Sequence, residues 1–467
     1  YESQKGDEGD GFAENYSDIS ADDKISTYVV GMAGRFPDAS SIDELWNNLL
    51  DGKRSISHFE KDEFENVLLA EPDGKHNKYV GARGILQDID KFDFGFFGIS
   101  KLEAQLMDPQ QRLFIESVWN ALEDAGCINM LDKARIGVFA SQGISTYLLN
   151  VLLKSNKIKG DYNNVAVLNN SPDSLATRVS YLLNLTGVSK TIQSFCSSSM
   201  VALEDAITYI EKGKCDVAVV GGTNIVVPQK SGYIYNEGSI CSETGDIRSF
   251  DDRADGTVFG NGVAVVVLAS DSWVKKNRLH SYAEIVGVGI NNDGSQKASY
   301  LSPSVKGQAE CVAEAYSKAG ISSTQVSYIE THGTATHVGD PIEITALKKS
   351  FKCQKSNEQM CAIGSIKGNL GHLDRAAGVT SFIKACLVAE KRCIPPLVGF
   401  EKINEHINFE ETPFYINKEI VNLDKSKDIY VGVTALGVGG TNVHIVLKST
   451  QNEETASDNR KKCIIPF

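Results

Sequence analysis

The sequence predicts an α/β protein, and three observations carry the prediction. Short runs of β-branched residues alternate along the chain with helical patterns, the order expected when strands and helices stack in layers. Those runs are almost continuously apolar, as in Val263–Leu268, so the strands expect cover on both faces. Two small-residue helices open on residues able to do chemistry, one after Cys196 and one after His372. The echo fits two related halves meeting at one site. Two unrelated Ala/Gly-rich helices would give the same pattern.

Taken in order, residues 1–24 hold eight acidic residues and two lysines, which predicts an acidic, disordered linker. Strands are predicted at Thr27–Gly31, Ile136–Ala140, Val188–Ile192, Val217–Gly221 and Val263–Leu268. Later ones are predicted at Ala283–Gly289, Val326–Glu330, Ile429–Thr434 and Val443–Leu447. An amphipathic helix is expected over Met200–Ile210, and Cys386 falls in the apolar helical pattern Phe382–Ala389, the usual place for an inert core thiol. Residues 448–462 turn polar, and Cys463–Phe467 reads as the first strand of a further unit. The chain starts at Tyr1, and with these ends it is expected to be a domain of a larger polypeptide.

Composition narrows the function. The 467 residues suffice for a large core or two fused halves. A net charge of −13 argues against nucleic acid and anionic membranes as main partners. No apolar run approaches the ~20 residues of a membrane helix, and no signal peptide is visible. The ten cysteines contain no C-x-x-C pair, so neither a metal site nor a redox motif is expected, and a reducing, cytoplasmic location is.

Cys196 is the strongest candidate for chemistry. It stands where a short strand stops and three serines lead into a helix. Unpaired backbone N–H groups and the helix dipole at such a junction favour a thiolate. Three other segments supply partners. Tyr328–Glu343 ends a strand at His332 and enters a loop with Thr334, Thr336 and Asp340-Pro341, where Asp340 is the expected N-cap of the next helix. Ile363–His372 carries Lys367 and His372 after another strand. Gly432–Asn442 is glycine-rich, which lets backbone N–H groups approach a ligand. Singly, each has an ordinary reading: a packed histidine, a surface lysine, a plain turn. Together they compose acyl transfer, with a thiol to attack a thioester, N–H groups to hold the oxyanion and histidines to act on a second carbonyl.

These segments resemble the β-ketoacyl synthases, and within them the ketosynthase domains of modular type I polyketide synthases. The resemblance runs from about Ile25 to Leu447. It includes Val29-Val-Gly-Met-Ala-Gly-Arg-Phe-Pro37, Phe92-Asp-Phe-Gly-Phe-Phe-Gly-Ile-Ser100 and Met107-Asp-Pro-Gln-Gln-Arg-Leu113, the last running on to Gly126. It implies a thiolase fold: two pseudo-repeated βαβαβ-type halves in five αβαβα layers, here 25–270 with the cysteine and 271–447 with both histidines, followed by linker from 448. It implies that Cys196 accepts the acyl chain, and that His332 and His372, supported by Lys367, bind and decarboxylate a malonyl-type extender. It further implies an oxyanion hole from the N–H groups of Cys196 and Val438, and pantetheine contacts at Thr334 and Thr336.

The resemblance implies no permanently bound cofactor. Substrates would arrive on the phosphopantetheine arm of acyl carrier protein, an acyltransferase would act from the same or a separate polypeptide, and the chain would form a homodimer. Phe195 stands where Ala is common, Val438 where fatty-acid enzymes carry Phe, and Asn261 where Glu is frequent. Phe195 and Val438 are therefore the acyl-pocket candidates. A non-elongating ketosynthase confined to acyl transfer and a fatty-acid condensing domain are the alternatives; an aliphatic residue at 438 disfavours the latter.

Overall fold

The computed structural model describes residues 26–63, 78–155, 162–351, 360–409 and 412–450. The expected acidic segment 1–24 and the expected strand at Cys463–Phe467 lie outside them.

In chain order, the strands that build the main sheet are β1 (Thr27–Arg35), β2 (Ile136–Gln142), β3 (Ser189–Thr191), β4 (Val217–Asn224), β5 (Gly262–Ser270), β6 (Ala283–Asn292), β7 (Val326–Glu330), β8 (Cys361–Gly364), β9 (Phe414–Tyr415), β10 (Tyr430–Leu436) and β11 (Thr441–Ser449). Their spatial order is β9-β8-β7-β10-β11-β6-β1-β5-β4-β2-β3. The repeat lies in the pairing. In the first half β2 is parallel to β3 and β4, while β5 is antiparallel to β4 and β1. In the second half β7 is parallel to β8 and β10, while β11 is antiparallel to β10 and β6. Both halves thus run third-second-fourth-fifth-first, and β9 adds an edge beside β8. They join where Thr27–Val29 of β1 pairs with Ala283–Ile285 of β6.

Helices cover the sheet in three layers. On the outside of the first half lie α1 (Pro109–Asp124) and α2 (Asp173–Leu182). Between the halves lie α3 (Ser198–Glu211) and, from the second half, α6 (Ala377–Lys391), which pack on each other and on strands of both halves. Outside the second half lie α4 (Val305–Ala319) and α5 (Gly339–Ser350). The order helix, sheet, helix, sheet, helix makes five layers. A central apolar core fills the space around α3 and α6, and separate cores lie under each outer helix layer. This explains the unbroken apolar strands: every residue of β4 and β5 is buried.

The halves share one detail that fixes their outer helices. Val29-Val-Gly31 in β1 and Ile285-Val-Gly287 in β6 each carry a register shift at the glycine. A Cβ on Gly31 would lie 2.4 Å from the Ala121 carbonyl oxygen of α1, and one on Gly287 would lie 2.2 Å from that of Ala315 in α4. Glycine lets each helix seat directly on its strand.

Most strands run past their expected ends, as β1 does to Arg35 and β4 to Asn224, and two differences have a visible cause. β11 continues through Ser449, past the expected end at 447, because Lys448 pairs with Tyr430 and sends its ammonium to Asp428 at 3.0 Å. Asp340 is not the N-cap of α5. It lies inside the first turn, fully buried, where its carboxylate accepts the backbone N–H groups of Phe250 (2.7 Å) and Ala335 (3.0 Å).

Candidate active site

The serines after Cys196 explain its placement. Ser198 Oγ accepts the Ser194 N–H at 2.8 Å and donates to the Phe195 carbonyl at 2.5 Å. Ser197 Oγ donates to the Ser194 carbonyl at 3.0 Å. These bonds hold Phe195 in a left-handed conformation (φ 56°) that few non-glycine residues adopt. The turn sets Cys196 just before α3. Ser199 Oγ accepts the Val379 N–H of α6 at 3.0 Å, so the nucleophile helix is tied to the helix that follows His372. The two helices of the sequence echo do meet.

Cys196, His332, His372, Thr334, Thr336 and Val438 line one cavity of about 540 Å³. The ring centroids of His332 and His372 are 5.6 Å apart and nearly perpendicular. Each Nδ1 accepts a backbone N–H: His332 from Leu436 at 3.4 Å, His372 from Asp374 at 3.0 Å. An Nδ1 that accepts must be unprotonated, so in both neutral rings the hydrogen sits on Nε2. Burial, and then the Lys367 ammonium, hold both histidines well below the usual imidazole range. The site therefore presents two neutral Nε2–H donors. Phe259 stacks on His372, with centroids 5.3 Å apart, and helps fix its plane.

Lys367 is buried at the start of a short helix, Lys367–Leu370. Burial pulls its pKa down, while Glu330 and Glu343 oppose the shift. The glycine turn presses against the nucleophile: a Cβ on Gly437 would lie 2.4 Å from the Ser194 carbonyl oxygen. The N–H of the next residue, Val438, lies near the Cys196 sulfur and favours its charged form.

One expectation needs correction. Cys196 is not a standing thiolate: burial, then the nearby Asp374 carboxylate, push its pKa up to about 12 against the pull of Lys367 and Arg375. The helix start does not outweigh the loss of water. Phe195 does not line the cavity. Its left-handed backbone turns the ring outward, where the Arg375 guanidinium lies 5.0 Å from the ring centroid.

Several residues escaped the sequence reading. Glu343 accepts the backbone N–H groups of His332 (2.7 Å) and Gly333 (2.9 Å), which fixes the histidine's loop. Glu330 accepts the Ile366 N–H at 2.7 Å and pairs with Lys384 of α6 at 2.8 Å. The signal was present: Glu330 closes an apolar strand and Lys384 interrupts an apolar helix, and a charge in such a place needs a partner. Asn261 is buried and bonded to Gln229 at 2.8 Å, so this departure from the family pattern is satisfied locally. Among the described residues no cluster of His, Cys, Asp and Glu could hold a metal ion, and no helix is long and apolar enough to cross a membrane.

Comparison with known proteins agrees with this geometry. Residues 26–272 match the family model for the β-ketoacyl synthase N-terminal domain, and residues 282–401 that for the C-terminal domain. The chain belongs to the β-ketoacyl synthase family, condensing enzymes that form carbon–carbon bonds, and has the thiolase fold. It is of the ketosynthase type found in modular polyketide synthases. It is 40% identical over 91% of its length to a phenolphthiocerol/phthiocerol polyketide synthase of Mycobacterium tuberculosis, and spans 29% of that protein. It is 35% identical to polyketide synthase PksN of Bacillus subtilis, covering 96% of this chain and 8% of that one. Ketosynthase twelve of the bacillaene polyketide synthase of Bacillus amyloliquefaciens superposes with a TM-score of 0.84 at 33% identity, over 91% of this chain and 75% of that one.

Proposed function

We propose that this ketosynthase elongates a polyketide chain, with Cys196 as the acyl carrier and His332 and His372 as the enolate site. The Cys196 sulfur attacks the thioester carbonyl of a chain carried on acyl carrier protein. Its own N–H and that of Val438 hold the oxyanion, and the carrier thiol leaves with the proton. An extender of the malonyl class then enters on a second phosphopantetheine arm, guided by Thr334 and Thr336. The two Nε2–H groups donate to its thioester oxygen. Carbon dioxide leaves, the enolate attacks the Cys196 thioester, and the sulfur departs as a thiolate that takes a proton from water. The product is a β-ketoacyl group on the carrier, two backbone carbons longer.

One observation carries this reading: both histidines have Nδ1 occupied by a backbone N–H, which leaves two neutral donors converging in the cavity of the thiol. Each such donor typically lowers the barrier by ~2.7–4 kcal/mol. Lys367 keeps the histidines uncharged by like-charge repulsion, its role in this scheme. Partners in the proposal are acyl carrier protein, an acyltransferase on the same or another polypeptide, and a second copy of this chain, in the cytoplasm. The halves divide at 270/271, between β5 and β6.

Intact-mass measurement after incubation with an acyl-pantetheine thioester tests the first step. Wild type should gain one acyl group and Cys196→Ala none. Supplying malonyl carrier protein tests the second. His332→Ala and His372→Ala should retain acyl uptake and lose at least about 100-fold in condensation. Uptake by wild type without a β-ketoacyl product would replace this reading with acyl transfer alone.

A further inference from the structure

Cys196 lies between two environments. One is the cavity shared with the histidines and threonines. The other is a charged group outside that cavity, built by Asp374 and Arg375. The Cys196 sulfur stands 3.9 Å from Asp374 Oδ1. The same oxygen accepts from an Arg375 terminal nitrogen at 2.6 Å. Arg375 is held in turn by the Phe195 ring and by Gln193, whose Oε1 accepts from Nε at 3.4 Å.

Asp374 cannot drift from this position. Its backbone is left-handed (φ 49°), and its N–H is committed to His372 Nδ1. Asp adopts that conformation more readily than most residues. Its second carboxylate oxygen, Oδ2, carries no hydrogen bond among the described residues, although the side chain is only 20% exposed. A partly buried acceptor thus stands free beside the nucleophile.

We propose that Asp374 selects acyl chains bearing a hydroxyl on the third carbon, the substrate class of the elongation reaction proposed above, on which this inference rests. Once acylated, the sulfur carries a chain whose second and third carbons come within reach of a carboxylate this close. A carboxylate only accepts hydrogen bonds. A saturated chain strips water from Oδ2 and returns nothing. A hydroxyl at the third carbon donates to it. A cationic group gains less, because Arg375 already neutralises the carboxylate. Phe195, the departure next to the nucleophile, serves this group by holding the guanidinium on Asp374 rather than by lining the histidine cavity.

The test is a competition between butyryl- and 3-hydroxybutyryl-pantetheine for Cys196, read by intact mass. Wild type should take up the hydroxyacyl group about tenfold faster or better, the effect of one hydrogen bond to a charged group. Asp374→Leu should abolish that preference, and Asp374→Asn should reduce it. Each preference is a ratio measured on one preparation, so partial loss of folded protein cancels. If Asp374→Leu does not fold, the decision falls on Asp374→Asn. Equal uptake by wild type, or an unchanged ratio in the variants, overturns the proposal while leaving Cys196 as the acyl acceptor. No uptake of either group overturns both.

Discussion

At the scale of residues, the central fact is that Cys196 is a buried thiol whose charged form is disfavoured. Burial and Asp374 raise its pKa, and Lys367 and Arg375 lower it, leaving it at about 12. Such a group reacts as thiolate only in proportion to a small ionised fraction, which grows tenfold per pH unit below its pKa. Alkylation of Cys196 by iodoacetamide, followed on its own peptide by mass spectrometry, should therefore climb from about pH 7 to about pH 10 without a plateau. Lys367→Met removes a cation that stabilises the thiolate. The sign is then fixed: the pKa rises and alkylation slows at every pH in that window. A plateau below about pH 8 in wild type would show that the helix start dominates after all.

At the scale of elements, the site is held by charges buried between layers. The Glu330–Lys384 pair joins the end of β7 to the middle of α6, with side chains 0% and 1% exposed. Glu330 also accepts from Tyr328 and Ile366, so it braces the strand that delivers His332. Removing the lysine alone leaves a buried, uncompensated carboxylate. Lys384→Met should cost ~3–5 kcal/mol in urea unfolding, and adding Glu330→Gln should recover most of it. A single-variant cost under about 1 kcal/mol would mean that water already reaches the pair. What the sequence revealed follows the same division. The strands were legible because both-face burial demands unbroken β-branched runs, as in Val217–Val220 and Val263–Val267. The two-residue β9 has no such run. Cys196, His332 and His372 were legible because each stands where an element stops. Asp340 was misread as a cap because sequence shows its neighbours along the chain, not Phe250, ninety positions away. The raised thiol pKa and the turn of Phe195 away from the cavity likewise depend on burial and tertiary contacts, which no local pattern encodes.

At the scale of the whole molecule, the first half leaves several large apolar residues exposed in one stretch of chain. Ile144, Leu149, Leu153, Val167, Leu168 and Tyr181 are each between 50% and 83% exposed. They lie in the segments that follow β2 and precede β3, and β3 ends the sheet order. A clustered set of exposed large apolar residues marks an interaction surface, and a sheet edge offers unpaired N–H and C=O groups. A second copy related by a twofold axis would cover both at once, because an isologous contact sets each patch against itself. Sedimentation should therefore find wild type as a dimer at micromolar concentration. Leu149→Asp with Leu153→Asp, which places two carboxylates in the apolar face, should shift it to monomer while circular dichroism stays unchanged. A wild-type monomer, or a variant that remains dimeric, would remove this face as the seam and leave its apolar residues to another partner.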